Sequence, residues 1–523
     1  MTSRAALLAA AIALPLWLLP PAPALAADKT PPADTASAGK ATMGDTIADP
    51  VEDAQPRKRS IPFQGRTLAY TVTPGTLVLP NDVGEPIATM FYTAYTVDQP
   101  KGASPRPVTF LFNGGPGSAS MYLHMGSFGP LKLDLSKVDV AQPGPYPLHA
   151  NPDTLLDRTD LVFLDAVTTG LSRPAGKATG KDFWGVDQDI DAFARGIQRY
   201  LSVYNRWGSP KFILGESYGT MRAGGLVYTL QQRGISMTGV IVMSTVFTYG
   251  PAMDPGTDQI YVSYLPSYAV TAAYHHRLAE QPADLPAFVQ KAREFANGPY
   301  LVALQKGNDL SDAERQSMAQ QLSAFTGLSP EYLLENDLRV DPSRFRKELL
   351  RGQRRTIGRL DARFTAIDVD AGGEKPEYDA ADAAFSGAFV AAINDYLFND
   401  LGYKSDLAYR PSSGAMIGEK WDFTHHLPGG GRINVAASTM PDLSRAIRMN
   451  PHLRVMNLNG YYDLATPFGG AEYDLKRIML DKSEQDHILY RYYPSGHMIY
   501  INPAAAHDVR ADLDAFYDNA VKG

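Results

Sequence analysis

At Gly215-Glu216-Ser217-Tyr218-Gly219 a serine stands between two glycines, at the point where one kind of sequence pattern gives way to another. The preceding Lys211–Leu214 is short, apolar and strand-like, and Thr220–Gln232 continues in a helical pattern. Glycine tolerates backbone angles and close approaches that a Cβ forbids, so this spacing predicts a strand-to-helix corner too tight for side chains on either side of the serine. Such a corner leaves the hydroxyl exposed at the end of its strand. The pentapeptide alone is equally compatible with an ordinary glycine-rich turn, so its meaning depends on the surrounding chain.

That surrounding chain alternates. Apolar runs at Val108–Phe112, Leu161–Ala166, Lys211–Leu214 and Gly239–Ser244 are separated by helical patterns. In the clearest of these, Val186, Ile190, Phe193, Ile197, Leu201 and Tyr204 recur at helical spacing. Strands alternating with helices imply a mostly parallel central sheet with helices on both faces. Upstream, Arg66–Val97 reads as an antiparallel meander that turns at Pro74-Gly75 and includes the β-rich run Ile87–Thr96. Between Tyr249 and Arg410 strand-like runs become scarce, and helical patterns lie near 266–278, 285–297, 311–324, 341–353 and 381–399. Strands resume at Leu453–Leu458 and His487–Tyr493, and Ala504–Val521 reads as a closing helix. The expected organisation is an α/β core in two parts, 56–248 and 411–523, interrupted by a mainly helical cap insertion over 249–410.

Residues 1–26 read as a secretory leader. Arg4 supplies a positive start, Ala5–Leu19 an apolar stretch, and Ala24-Leu25-Ala26 a small-residue cleavage site before Ala27. The apolar stretch is short and broken by Pro15 and Pro20, which argues against a membrane anchor, and no later segment is long and apolar enough to span a bilayer. The expected product is a bacterial periplasmic or secreted protein. Residues 27–55, rich in Ala, Thr, Asp, Pro and Gly, read as a flexible leader. A net charge of −7 without long basic runs gives no support for a nucleic-acid partner. The chain has no cysteine, which excludes thiol nucleophiles and thiolate metal sites.

A serine hydroxyl is a poor nucleophile unless a base takes its proton and a carboxylate orients that base. Asp463 lies in Asn459-Gly460-Tyr461-Tyr462-Asp463-Leu464-Ala465-Thr466-Pro467, just beyond one expected strand. His497 lies in Ser495-Gly496-His497-Met498, just beyond the next. Loops at strand C-termini are where parallel sheets place their chemistry. The chain order Ser, Asp, His is that of α/β-hydrolases, so Ser217, Asp463 and His497 are the expected catalytic triad. Asn113-Gly114-Gly115-Pro116-Gly117 directly follows Val108–Phe112, where that fold carries an oxyanion loop, and the N–H groups of Gly115 and Tyr218 are assigned to the oxyanion hole. Of the remaining histidines, the adjacent pairs His275-His276 and His425-His426 lack metal-ligand spacing, and His487 and His507 read as structural. No metal or cofactor is expected.

Together these segments resemble the serine carboxypeptidases, in particular bacterial ones, over roughly residues 60–515. That family carries N-G-G-P-G, then G-E-S-Y-[AG], then G-x-x-D-x-x-x-P, then G-H-M, and all four occur here in order. Phe163-Leu164-Asp165 with Gly170-Leu171-Ser172 is similar to the family's F-[LI]-D and G-[FY]-S segment. The resemblance implies that Asn113, Gly114 and Glu216 bind the C-terminal carboxylate of a peptide substrate and that Met498 lines the pocket beside the scissile bond. The chain departs from the eukaryotic pattern at three positions. Leu111 stands for a tryptophan, Ser118 for a cysteine, and Ser127 of Ser127-Phe128-Gly129-Pro130 for the glutamate of E-x-G-P.

Other readings of the same residues remain. Prolyl or tripeptidyl aminopeptidases of this fold also use G-G-P-G and G-x-S-Y-G-T, which Ser217–Thr220 matches. An esterase or acyltransferase would use the same acyl-enzyme. A hydrolase that had lost its chemistry could serve as a binding module, although all three triad residues are present. Peptides with a free C-terminal carboxylate are the expected partners.

Overall fold

The computed structural model describes residues 46–100, 102–135, 143–249, 256–434 and 437–522. The expected leader 1–26 and most of 27–55 therefore lie outside the described residues. The chain begins with β1 (Asp53–Ala54), β2 (Arg57–Phe63), β3 (Arg66–Pro80), β4 (Pro86–Thr96), β5 (Val108–Phe112), α1 (Met121–Gly126), β6 (Leu131–Leu133), β7 (Leu148–Ala150), β8 (Asp160–Leu164) and β9 (Arg173–Pro174). It continues through α2 (Val186–Val203), β10 (Lys211–Glu216), α3 (Tyr218–Gln232) and β11 (Gly239–Met243). Then come α4 (Gln259–Tyr274), α5 (Leu285–Phe295), α6 (Leu301–Lys306), α7 (Asp312–Thr326), α8 (Pro330–Glu335) and α9 (Pro342–Glu348), followed by the ribbon β12 (Arg355–Ile357) and β13 (Thr365–Ile367). The last part holds α10 (Ala380–Asn394), α11 (Gly414–Ile417), β14 (His425–His426), β15 (Arg432–Ile433), α12 (Met440–Met449), β16 (Arg454–Gly460), α13 (Phe468–Leu475), β17 (Ile488–Tyr493) and α14 (Pro503–Lys522).

Eleven of these strands form one sheet, ordered β1-β3-β4-β8-β5-β10-β11-β16-β17, with β2 on β3 and β9 on β4. From β8 to β17 every pairing is parallel, and the antiparallel pairings lie at the β1–β4 end. The parallel strands alternate strictly between two apolar cores. Leu111, Phe163, Phe212, Leu214, Ile241 and Met243 face a core shared with α1, α10 and α14. Phe110, Phe112, Val162, Ile213, Val240 and Val242 face a core shared with α2, α3 and α12. A strand buried on both sides reads as a continuous apolar run, which is why these strands stand out in the sequence.

One expected feature is corrected. Pro74-Gly75 is not a turn: β3 runs through it, and the reversals fall at Gln64-Gly65 and between Asn81 and Gly84. Pro74 has no N–H to give a ladder, but on one side β2 pairs only as far as Val72 and β1 takes over at Gly75, so the missing donor falls at a junction. Gly75 is there for close approach, since a Cβ would lie 2.4 Å from the Asp53 carbonyl oxygen and 2.5 Å from the Tyr92 hydroxyl. The end of the expected leader is also tied down. Asp53 and Ala54 pair with β3, and Glu52 accepts two 2.7 Å bonds from Arg199.

The helical stretch between β11 and β16 divides between two cores. Helices α4 to α9 close around their own apolar cluster, with Leu265, Tyr268, Val289, Leu322 and Phe345, and this cluster also takes in Tyr462, Leu464 and Phe468 from the segment after β16. Helix α10 instead joins the core of the sheet, where Phe389 packs edge-on to Tyr122 of α1 at 5.0 Å.

Candidate active site

The corner between β10 and α3 forms as the glycine spacing predicts. All six residues of β10 are buried, and α3 begins at Tyr218. Ser217 adopts φ 62° and ψ −133°, a conformation that costs an L-residue about 1–3 kcal/mol. Its neighbours impose it. The Ser217 N–H donates to the Met243 carbonyl at 3.0 Å, and its carbonyl accepts from Thr220 N at 2.8 Å and Thr220 Oγ1 at 2.7 Å. The chain folds back so closely that a Cβ on Gly215 would lie 2.2 Å from the Gly219 carbonyl oxygen. Ser217 is partly exposed while the residues on both sides are buried.

Asp463 and His497 come from the loops after β16 and β17, and β16 lies between β11 and β17. His497 Nδ1 lies 2.7 Å from Asp463 Oδ2, and both side chains are buried. The other carboxylate oxygen of Asp463 accepts from the N–H groups of Ala465 at 2.7 Å and Thr466 at 2.9 Å. Thr466 Oγ1 lies 2.8 Å from Asp463 Oδ2 and 3.2 Å from His497 Nδ1. The imidazole's backbone is clamped as well, by a 2.6 Å bond from its N–H to the Leu360 carbonyl and a 2.5 Å bond from Ser244 Oγ to its own carbonyl. Burial lowers the imidazole pKa, but the Asp463 charge and hydrogen bond outweigh it, with Glu216 adding, so His497 sits above its ordinary value.

Beside the serine, Glu216 is buried at the end of β10 and accepts a 2.7 Å bond from Asn113 Nδ2 through Oε1. Asn113 Oδ1 in turn accepts from the Leu123 N–H of α1 at 3.0 Å, which fixes the amide's orientation. Burial pushes the Glu216 carboxyl up to about 7, against the opposing effects of His497, Tyr500 and Asn113. The loop Asn113–Gly117 lies directly on the start of α3: a Cβ on Gly114 would come within 2.4 Å of the Tyr218 nitrogen. Gly115 has φ 108°. Met498 is buried in the core shared with Tyr500 and Phe389.

Several residues that organise the site carry no sequence signal of that role. Arg222 of α3 is fully buried, pairs with Asp189 of α2 at 2.7 Å and donates to the Asn113 carbonyl at 2.7 Å, with Phe193 beneath it at 4.1 Å. Leu360, Ser244 and Tyr500 reach the site from separate segments. Thr466 could have been found, because it stands three residues beyond Asp463, the spacing of a side-chain-capped turn. A cavity of about 760 Å³ lined by Glu85, Asp182, Asp187, Asp191 and His426 shares none of these residues. His425 bridges Asp187 and Asp442 at 2.5 and 2.8 Å, as a structural histidine would.

The serine carboxypeptidase family model matches residues 82–329 of this chain, a span that holds the Asn113–Gly117 loop and the serine corner but ends before Asp463 and His497. No curated protein matches. Among solved structures, a prohormone-processing carboxypeptidase from Saccharomyces cerevisiae is similar with a TM-score of 0.51 at 14% identity, covering 86% of this chain and 91% of that one. A putative aryl esterase from Burkholderia cenocepacia, at 13% identity over 86% of this chain and 100% of its own, has a TM-score of 0.33. A proline iminopeptidase from Mycobacterium smegmatis, at 14% identity over 86% and 99%, has a TM-score of 0.32. The sheet order, the helices on both faces and the likeness to the solved carboxypeptidase agree on the α/β-hydrolase fold, and residues 82–329 are similar to the serine carboxypeptidases.

Proposed function

We propose that the protein removes C-terminal residues from peptides through an acyl-enzyme on Ser217. The observation that carries the reading is the buried Asp463–His497 pair at 2.7 Å, on the loops two and three strands from the strand that bears a serine held in a strained corner. With Nδ1 engaged by the carboxylate, Nε2 is the nitrogen left to act as base. Ser217 Oγ attacks the scissile carbonyl as His497 takes its proton. His497 then returns that proton to the leaving amine, and water releases the acyl group by the same route. The N–H groups of Gly115 and Tyr218, the second at the positive end of α3, stabilise the oxyanion.

Exopeptidase action is supported by Glu216 and Asn113. A carboxyl held near 7 by burial keeps a protonated fraction at mildly acidic pH, and in that form it donates to a substrate carboxylate instead of repelling it. In this reading α4 to α9, which pack on the segment bearing Asp463, form the cap and shape side-chain preference. Cleavage before Ala27 exports the enzyme to the periplasm or the medium.

The test is labelling with a fluorophosphonate, followed by hydrolysis of N-blocked dipeptides with free or amidated C-termini. Labelling at Ser217 and a strong preference for the free acid are expected. Labelling elsewhere refutes the triad, and cleavage only of peptides with a free N-terminus refutes the direction of attack in favour of an aminopeptidase.

A further inference from the structure

Glu216 Oε2, beside the nucleophile, and the Tyr500 hydroxyl are both buried without a hydrogen-bond partner. A buried polar group without a partner is costly, and a pair of them at one site calls for an explanation. Tyr500 lies three residues beyond His497, on the short turn Ile499–Ile501, so its position is tied to that of the base. Its phenol faces Glu216 and Asn113 closely enough to act on both, yet forms no hydrogen bond of ordinary geometry with either. The ring is wedged in place, since a Cβ on Gly126 would come within 2.8 Å of Tyr500 Cε2 and 3.0 Å of the Phe389 ring.

The neighbouring segment sharpens the point. Ser127 stands where the eukaryotic members of the resembling family have a glutamate, and its hydroxyl is turned back into α1, donating to the Leu123 carbonyl at 2.5 Å. Leu111, standing for a tryptophan, supplies no donor either. Tyr500 faces Asn113 and Glu216 with its hydroxyl unpaired, whereas the Tyr122 hydroxyl is engaged with Ser386 Oγ at 3.1 Å, and a phenol is a donor suited to a carboxylate oxygen.

We propose that Tyr500 is a substrate-binding residue, whose hydroxyl donates to one oxygen of the peptide's terminal carboxylate while protonated Glu216 donates through Oε2 to the same group. The inference rests on the exopeptidase reading above. Burial raises the phenol far above its ordinary pKa, so Tyr500 remains a donor throughout the working range.

Tyr500→Phe tests it. The variant keeps the ring against Gly126 and Phe389 and removes only an unpaired hydroxyl, so folding and fluorophosphonate labelling should match the wild type. KM for an N-blocked dipeptide with a free C-terminus should rise about tenfold or more, the loss expected when a bond to a charged group is removed. The corresponding amide and an activated ester should be hydrolysed as before. A variant that retains the full wild-type preference for acid over amide overturns the role of Tyr500, as does an equal loss on all three substrates. A wild-type enzyme with no preference for the free acid instead overturns the exopeptidase reading, and this inference with it.

Discussion

On the exopeptidase reading proposed above, replacing Glu216 by Gln should separate carboxylate recognition from bond breaking, because the two depend on different protons. Gln keeps an oxygen for Asn113 Nδ2 and an N–H donor at the position of Oε2, but cannot ionise. In the wild type Glu216 titrates at about 7. Its protonated fraction therefore falls from about nine-tenths at pH ~6 to about one-tenth at pH ~8. The proposed base works in the opposite sense, since His497 must be neutral to act, so turnover of any substrate climbs as pH rises through its raised pKa. Dividing kcat/KM for a blocked dipeptide acid by kcat/KM for its ester cancels the His497 contribution. That ratio should fall about tenfold between pH ~6 and ~8 in the wild type and stay flat in Glu216→Gln. The substitution should also move the rising limb of the ester profile to lower pH, because Glu216 is one of the groups that raises His497. A Gln variant whose acid-to-ester ratio still falls as in the wild type would refute the reasoning.

Ser217→Ala should abolish fluorophosphonate labelling and lower kcat by several orders of magnitude with an unchanged circular dichroism spectrum; ordinary turnover in a folded variant ends the nucleophile assignment. Arg222→Met strands Asp189 in the core and should cost about 3–5 kcal/mol in denaturant unfolding, most of it recovered when Asp189→Leu is added; a double variant no more stable than the single argues against the ion pair. His425, opposed by burial but held by Asp187 and Asp442, is raised to about 9. Because its folded-state pKa lies above its unfolded value, the stability it contributes is complete below pH ~6.5 and is lost as pH rises through the folded value, on the order of 3 kcal/mol. Thermal scans should show a steeper fall in Tm over that interval for the wild type than for His425→Gln, and parallel curves would contradict the bridge.

What the sequence by itself determined was whatever depends on neighbours along the chain. The serine corner follows from Gly215 and Gly219, the parallel strands from runs buried on both faces, and the positions of Asp463 and His497 from where those runs end. The tertiary structure alone decided the contacts between distant segments. The Arg222–Asp189 pair spans two helices and braces the Asn113 loop, and neither residue carries a local pattern that names its partner. Pro74-Gly75 carries a turn signature, but the handover from β2 to β1 removes the need for an N–H at that point and the strand runs on. Helix α10 has the same helical periodicity as α4 to α9, and only packing sends it to the sheet while they close on one another. Tyr500 reads as one more aromatic in an apolar stretch. Its unpaired hydroxyl beside Glu216 exists only once β17, β10 and α1 are brought together, because hydrogen-bond satisfaction belongs to the packed environment and not to the residue.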